Sequence, residues 1–145
     1  DVKATVAQFE REHKAVRVYL EDAYAYAVFP AVGKGGMGVG GAFGRGQVYR
    51  NGRRIGYAKL TSASIGLQLG GQSFSEIIFF EDKASFERFR NGELAFDANA
   101  SAVAAETGVA ARVDYENGVA VFVISEAGLM FEASIGGQMF DYVSG

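Results

Sequence analysis

The stretch from Gly33 to Arg50, GKGGMGVGGAFGRGQVYR, constrains the fold more than any other, because it combines strict alternation with a glycine at nearly every second position. Read at period two, Met37, Val39, Gly41, Phe43, Arg45, Gln47 and Tyr49 share one face, while Gly36, Gly38, Gly40, Ala42, Gly44 and Gly46 fill the other. This pattern predicts a strand with one bare face. Glycine weakens a strand interior, so a row of it marks a bend or a close approach by other structure. A helix or a crossing strand is expected to lie on the bare face, with a flexible loop as the alternative. Gly33, Gly35 and Gly38 also satisfy G-x-G-x-x-G, but the alternation continues where a helix should open, and no acidic residue follows before Glu76 to hold a ribose. Lys34 is followed by Gly35 and not by Ser or Thr, so there is no P-loop.

The glycine count matters for the whole chain. Twenty glycines in 145 residues are about twice the usual ~7% share, and with a single proline they point to a glycine-bent sheet in one domain spanning residues 1–145. The absence of cysteine excludes disulfides, thiol chemistry and zinc knuckles. No run of 18 or more apolar residues is present to span a membrane as a helix. The first residue is Asp1 and not Met, from which a processed form is expected, with any leader or anchor upstream.

Net charge is −3, yet residues 1–60 carry +5 and residues 61–145 carry −8. If the halves are spatially distinct, the molecule is a dipole. The interval from Ala23 to Ser75 holds Lys34, Arg45, Arg50, Arg53, Arg54 and Lys59 and no acidic residue, which makes it a candidate surface for anionic partners. The alternative is ordinary solvated charge scattered over both faces of a sheet.

Residues 2–27 are predicted as one long helix, with apolar positions at Val2, Val6, Phe9, Val16, Leu20, Ala23 and Ala27 and with Phe29-Pro30 as its stop. Lys3, Arg11, Lys14 and Arg17 occupy its other faces. Such a stripe either lies in a membrane interface or packs on the glycine face. Asn51-Gly52 predicts a hairpin leading into a strand from Arg53 to about Leu60, followed by strands at Thr61–Gly71 and Ser75–Glu81. Asp82 caps a predicted helix, Lys83–Asn91, with Phe86 and Phe89 inward and Gly92 closing it. Ala98–Thr107 is alanine-rich, fits helix or strand by propensity, and is assigned to a strand from its neighbours. Asn117-Gly118 predicts a second hairpin between Ala110–Tyr115 and Val119–Ser125, and Leu129–Phe140 ends the sheet.

Catalytic patterns are missing. His13 sits on the helix stripe and is expected to be partly buried, not catalytic. No serine lies in a G-x-S-x-G elbow, and Asp114-Tyr115-Glu116-Asn117-Gly118 lacks the spacing of a calcium loop. No enzyme activity, cofactor or metal is expected. Phe43, Tyr49 and Tyr57 interleave with arginines, but a sequence pI near 5.2 argues against nucleic acid, and none is expected as a partner.

Several of these segments together resemble a known family. Phe29-Pro30, Lys34-Gly35-Gly36, Gly38 to Gly46, Ser64-Ile65-Gly66 with Gly70-Gly71-Gln72, and Ser125 to Phe131 (SEAGLMF) resemble the SYLF-domain family, which includes yeast actin-patch proteins and bacterial lipoproteins. The resemblance covers nearly the whole chain and implies a lipid-binding domain, with phosphoinositides as ligands of eukaryotic members and membrane binding tied to the opening amphipathic segment. It further implies a stand-alone bacterial member of the cell envelope, periplasmic or outer-membrane, lipid-anchored in its full-length form.

The expected fold is therefore α+β: a mostly antiparallel, curved glycine-rich sheet, with closure into a barrel as one outcome, the long N-terminal helix, and a short helix near 83–91. The expected function is non-enzymatic binding of an anionic phospholipid headgroup, phosphoinositide-like or other. Lys34, Arg45, Arg50, Arg53, Arg54 and Lys59 are the candidate contacts, and Lys3, Arg11, Lys14 and Arg17 the helper charges. The alternative is an envelope structural or protein-interaction module without lipid affinity, with an envelope protein as its partner.

Overall fold

The computed structural model describes residues 2–12, 15–33, 42–62, 74–92, 115, 118–125 and 138–145. Two helices, α1 (Val2–Glu12) and α2 (Ala15–Asp22), precede strands β1 (Ala25–Gly33), β2 (Ala42–Arg50), β3 (Arg53–Ser62) and β4 (Phe74–Phe80). Helix α3 (Lys83–Arg90) follows, then β5 (Val119–Ser125) and β6 (Gln138–Ser144). The strands form one antiparallel sheet in the order β5-β4-β1-β2-β3-β6. The class is α+β, and the described strands leave the sheet open, with β5 and β6 at its two ends.

The opening segment departs from the single helix expected over residues 2–27. α2 ends at Asp22, and Ala25 to Ala27 belong to β1. Ala23-Tyr24-Ala25-Tyr26-Ala27-Val28 alternates small and large residues at period two, and this pairing pattern prevails over the alanine helix propensity. Phe29-Pro30 is not a helix stop either. Pro30 sits where the β1 register shifts against both β2 and β4, and a bulge tolerates a residue without a backbone N–H. The shift has a packing consequence. Phe29 and Val32, three residues apart, both point into the same core, which uninterrupted alternation would forbid.

Local chemistry fixes the other connections. Asn51 (φ 54°) and Gly52 (φ 75°) both take the left-handed conformation that a two-residue hairpin turn requires. Asp82 caps α3, its Oδ1 accepting from the Ser85 backbone N–H at 2.9 Å while Ser85 Oγ accepts from the Asp82 N–H at 3.3 Å. Gly92 follows that helix at φ 73°. β3 runs to Ser62, so Thr61 and Ser62 belong to it, and the rest of the expected Thr61–Gly71 strand lies outside the described residues. So do Ala98–Thr107, residues 110–114, and residues 129–137 of the last strand, which itself continues to Ser144.

The sheet separates two apolar layers. On one face, Phe9, Val16 and Tyr19 of α1 and α2 pack on Val28, Ile77, Phe79 and Phe122. On the other, Phe86 and Phe89 of α3 pack on Phe80, Phe140 and Tyr142.

The described glycines explain the curvature. Gly44 and Gly46 face the α3 side, and no described helix rests on them; side chains of the adjacent strand do. A Cβ on Gly46 would stand 2.6 Å from the Phe29 ring, and one on Gly44 2.7 Å from Val32. Phe29 crosses this bare backbone to reach Phe140 with ring centroids 5.9 Å apart. β1 and β6 are three strand spacings apart, about 14 Å in a flat sheet, so the sheet curls strongly around this face.

Candidate functional site: the open face of β2, β3 and β6

α1 and α2 cover the β1–β4–β5 half of their face. The other half, built by β2, β3 and β6, presents side chains to solvent. Strand register places them in three rows: Phe43, Thr61 and Met139; Arg45, Lys59 and Asp141; Gln47, Tyr57 and Val143. Met139 is 70% exposed, Val143 63% and Tyr57 42%, and among the described residues they are the large apolar ones left most open. A charged row thus lies between two rows with apolar members. Arg45, Tyr57, Lys59, Asp141 and Val143 line a shallow depression of about 510 Å³ on this face.

Arg45 and Lys59 are direct cross-strand partners. Opposed residues in an antiparallel pair have Cβ atoms about 4.5–5.5 Å apart, and like charges so placed destabilise the pairing. Among the described residues neither cation has a carboxylate within ion-pair distance. The hairpin adds a second opposed pair, Arg50 and Arg53. The Arg54 guanidinium lies 4.9 Å from the centre of the Tyr57 ring, at the border of the same face. Arg50 turns away from it and stacks over Tyr24 at 4.2 Å.

The expected contacts therefore divide. Arg45, Lys59 and Arg54 come together; Arg53 stands exposed at the adjoining hairpin; Arg50 is engaged with Tyr24. Lys3, Arg11 and Arg17 are exposed on α1 and α2, with Arg17 Nε 3.7 Å from Glu10 Oε2. Lys34, Lys14 and His13 lie outside the described residues. The division of charge along the sequence gives no two-ended arrangement in the sheet: β1, β2 and β3 of the basic half are flanked by β4 on one side and β6 on the other.

Tyr57, Met139, Asp141 and Val143 were not among the residues expected at the site. The alternation of Met139, Asp141 and Val143 against Phe140 and Tyr142 is the signal that could have found them, once the strand is carried past Phe140.

The apolar stripe of the opening segment is committed to the sheet. Phe9 and Val16 are fully buried and Tyr19 nearly so. Lifting α1 and α2 into a bilayer would rebury their own side chains but uncover Ile77, Phe79, Phe122 and Ile124, at roughly 1.5–3 kcal/mol each. That sum rivals the ~5–15 kcal/mol total stability of a domain.

Among the described residues, no group of three or more His, Cys, Asp or Glu is placed to hold a metal ion, and no helix is long and apolar enough to cross a membrane.

Residues 61–142 match the Ysc84 family, described as "Las17-binding protein actin regulator". The chain belongs to this family, that of the SYLF domain. It is also similar to Beta cell expansion factor A of Aeromonas veronii, 28% identical over 134 residues, which cover 89% of this chain and 49% of that protein. The SYLF chain thus spans about half the length of this curated relative. The family match begins within β3 and ends within β6, so it contains Lys…Asp row members only in part: Asp141 falls inside it, and Arg45 and Lys59 precede it.

Proposed function

We propose that this SYLF domain binds anionic phospholipid headgroups at a membrane surface, without catalysing a reaction, in a bacterial cell envelope. The observation that carries the proposal is the opposed pair Arg45 and Lys59, exposed on the open sheet face with Arg54 at its border. Two cations set opposite each other weaken the strand pairing, and a bound phosphate removes that repulsion. Family membership supports the same reading, since the SYLF family is linked to lipid binding. Lys34, Arg50, Arg53 and the helical cations Lys3, Arg11, Lys14 and Arg17 act as further contacts or as long-range attraction for an anionic surface.

A second reading, an envelope module that binds a protein and no lipid, has in its favour the exposure of Met139 and Val143 on β6. Flotation with phosphatidylcholine vesicles, with and without phosphatidylglycerol, separates the two. Recovery with the anionic vesicles alone is the expected result. Absence from both vesicle fractions would sink the lipid proposal in favour of the protein-binding module.

A further inference from the structure

We propose that the membrane meets this domain at the open face of β2, β3 and β6, with Met139, Val143 and Tyr57 entering the headgroup layer and Arg45 and Lys59 taking lipid phosphates between them. The proposal rests on the lipid reading above and assigns it a surface and an orientation. Register sets the geometry. Met139 and Val143 lie four residues apart on one strand, about 13 Å, and the Arg45–Lys59–Asp141 row crosses the sheet midway between them.

A row with apolar members on either side of a cationic pair suits an interface whose phosphates lie beside acyl chains. Tyrosine belongs at that depth, with its ring in the apolar region and its hydroxyl in the headgroups. The depression beside Tyr57 and Val143 gives a phosphate direct access to Arg45 and Lys59. Charge complementarity selects an anionic bilayer as the occupant. α1 and α2, committed to the core, remain on the sheet throughout.

Asp141 faces Lys59 in the same row and opposes an incoming phosphate. Each charge near an anionic surface contributes about 1 kcal/mol. Arg45→Gln with Lys59→Gln is therefore expected to weaken partition into phosphatidylglycerol vesicles about 30-fold, and Asp141→Asn to strengthen it about 5-fold.

The chain has no cysteine, so single cysteines at 139, 143, 4 and 84 can each carry an environment-sensitive nitrobenzoxadiazole dye. Ala4 reports on α1 and Ala84 on α3, and both positions are exposed. Each labelled protein is floated with phosphatidylglycerol vesicles containing a lipid-borne spin-label quencher. Blue-shifted, quenched dye at 139 and 143, with unchanged dye at 4 and 84, is the expected result. Floated protein whose dyes at 139 and 143 stay in water overturns this orientation and leaves the lipid reading standing. Unlabelled and labelled protein that both fail to float overturn the two together.

Discussion

Alanine at Gly46 is the sharpest perturbation of the sheet. The added methyl would meet the Val28 carbonyl oxygen and stand 2.6 Å and 2.9 Å from two carbons of the Phe29 ring. Backbone cannot yield as a flexible side chain does, and overpacking of this kind costs about 1–3 kcal/mol. Alanine also restricts the unfolded chain, which returns about 0.4–1 kcal/mol. The net expectation is a loss of about 1.3 kcal/mol, or about 4 °C in Tm at this chain length. Urea unfolding followed by far-ultraviolet circular dichroism measures it, since the chain has no tryptophan. The loss should shrink in a Phe29→Leu background, where part of the clash is removed. Gly52→Ala is the contrasting case: nothing lies within 4 Å of its new methyl, and only its φ of 75° opposes the change. A Gly46→Ala loss below about 0.5 kcal/mol would refute the crossing of Phe29 over bare backbone as the source of the curl.

Three further expectations concern separate parts of the chain. Asp82→Ala removes the cap of α3 and should cost about 1 kcal/mol at neutral pH. The Ser85 backbone hydrogen bond, and then the Ser85 side chain, hold the Asp82 carboxyl below its ordinary value. Its contribution is therefore full above about pH 4 and lost as pH falls through the lowered pKa, so the variant should show a shallower acid decline in urea titrations. Burial, and then the charge of Asp22, push the Tyr115 hydroxyl up, and among the described residues it has no hydrogen-bond partner. The stability held by its neutral form is present below about pH 10 and lost as pH rises further, so Tyr115→Phe should be neutral or stabilising and should move alkaline unfolding to higher pH. Arg53→Glu with Arg54→Glu should weaken binding to phosphatidylglycerol vesicles without lowering Tm by more than about 2 °C; unchanged binding would remove the hairpin from the contact surface.

What could be read from the sequence was whatever local chemistry decides. Asn51-Gly52 demands its turn, and Asp82, Phe86, Phe89 and Gly92 together define α3 without reference to the rest of the chain. The opening segment misleads because alanine and tyrosine serve helix and strand alike, and only pairing with β2 and β4 turns Ala25–Val28 into sheet. The glycine strand announces a bare face but not its covering. At Gly46 that is supplied by Phe29, whose direction depends on a bulge at Pro30, and among the described residues not by the helix or crossing strand expected there. The basic interval was visible as charge. Its division into Arg45, Lys59 and Arg54 on one face and Arg50 on the other follows from register, and the apolar rows beside it need β6 to pair with β3 some eighty residues away.

The proposed contact between an anionic bilayer and the exposed cations is electrostatic and leaves the opening helices packed on the sheet. The salt dependence of partition into phosphatidylglycerol vesicles tests it most directly. Screening shortens from about 10 Å at 0.1 M salt to about 3 Å at 1 M. Binding is expected to fall steeply over this range. Binding that persists undiminished at 1 M would contradict it, and would point instead to apolar insertion, whether by Met139 and Val143 or by the stripe of α1 and α2.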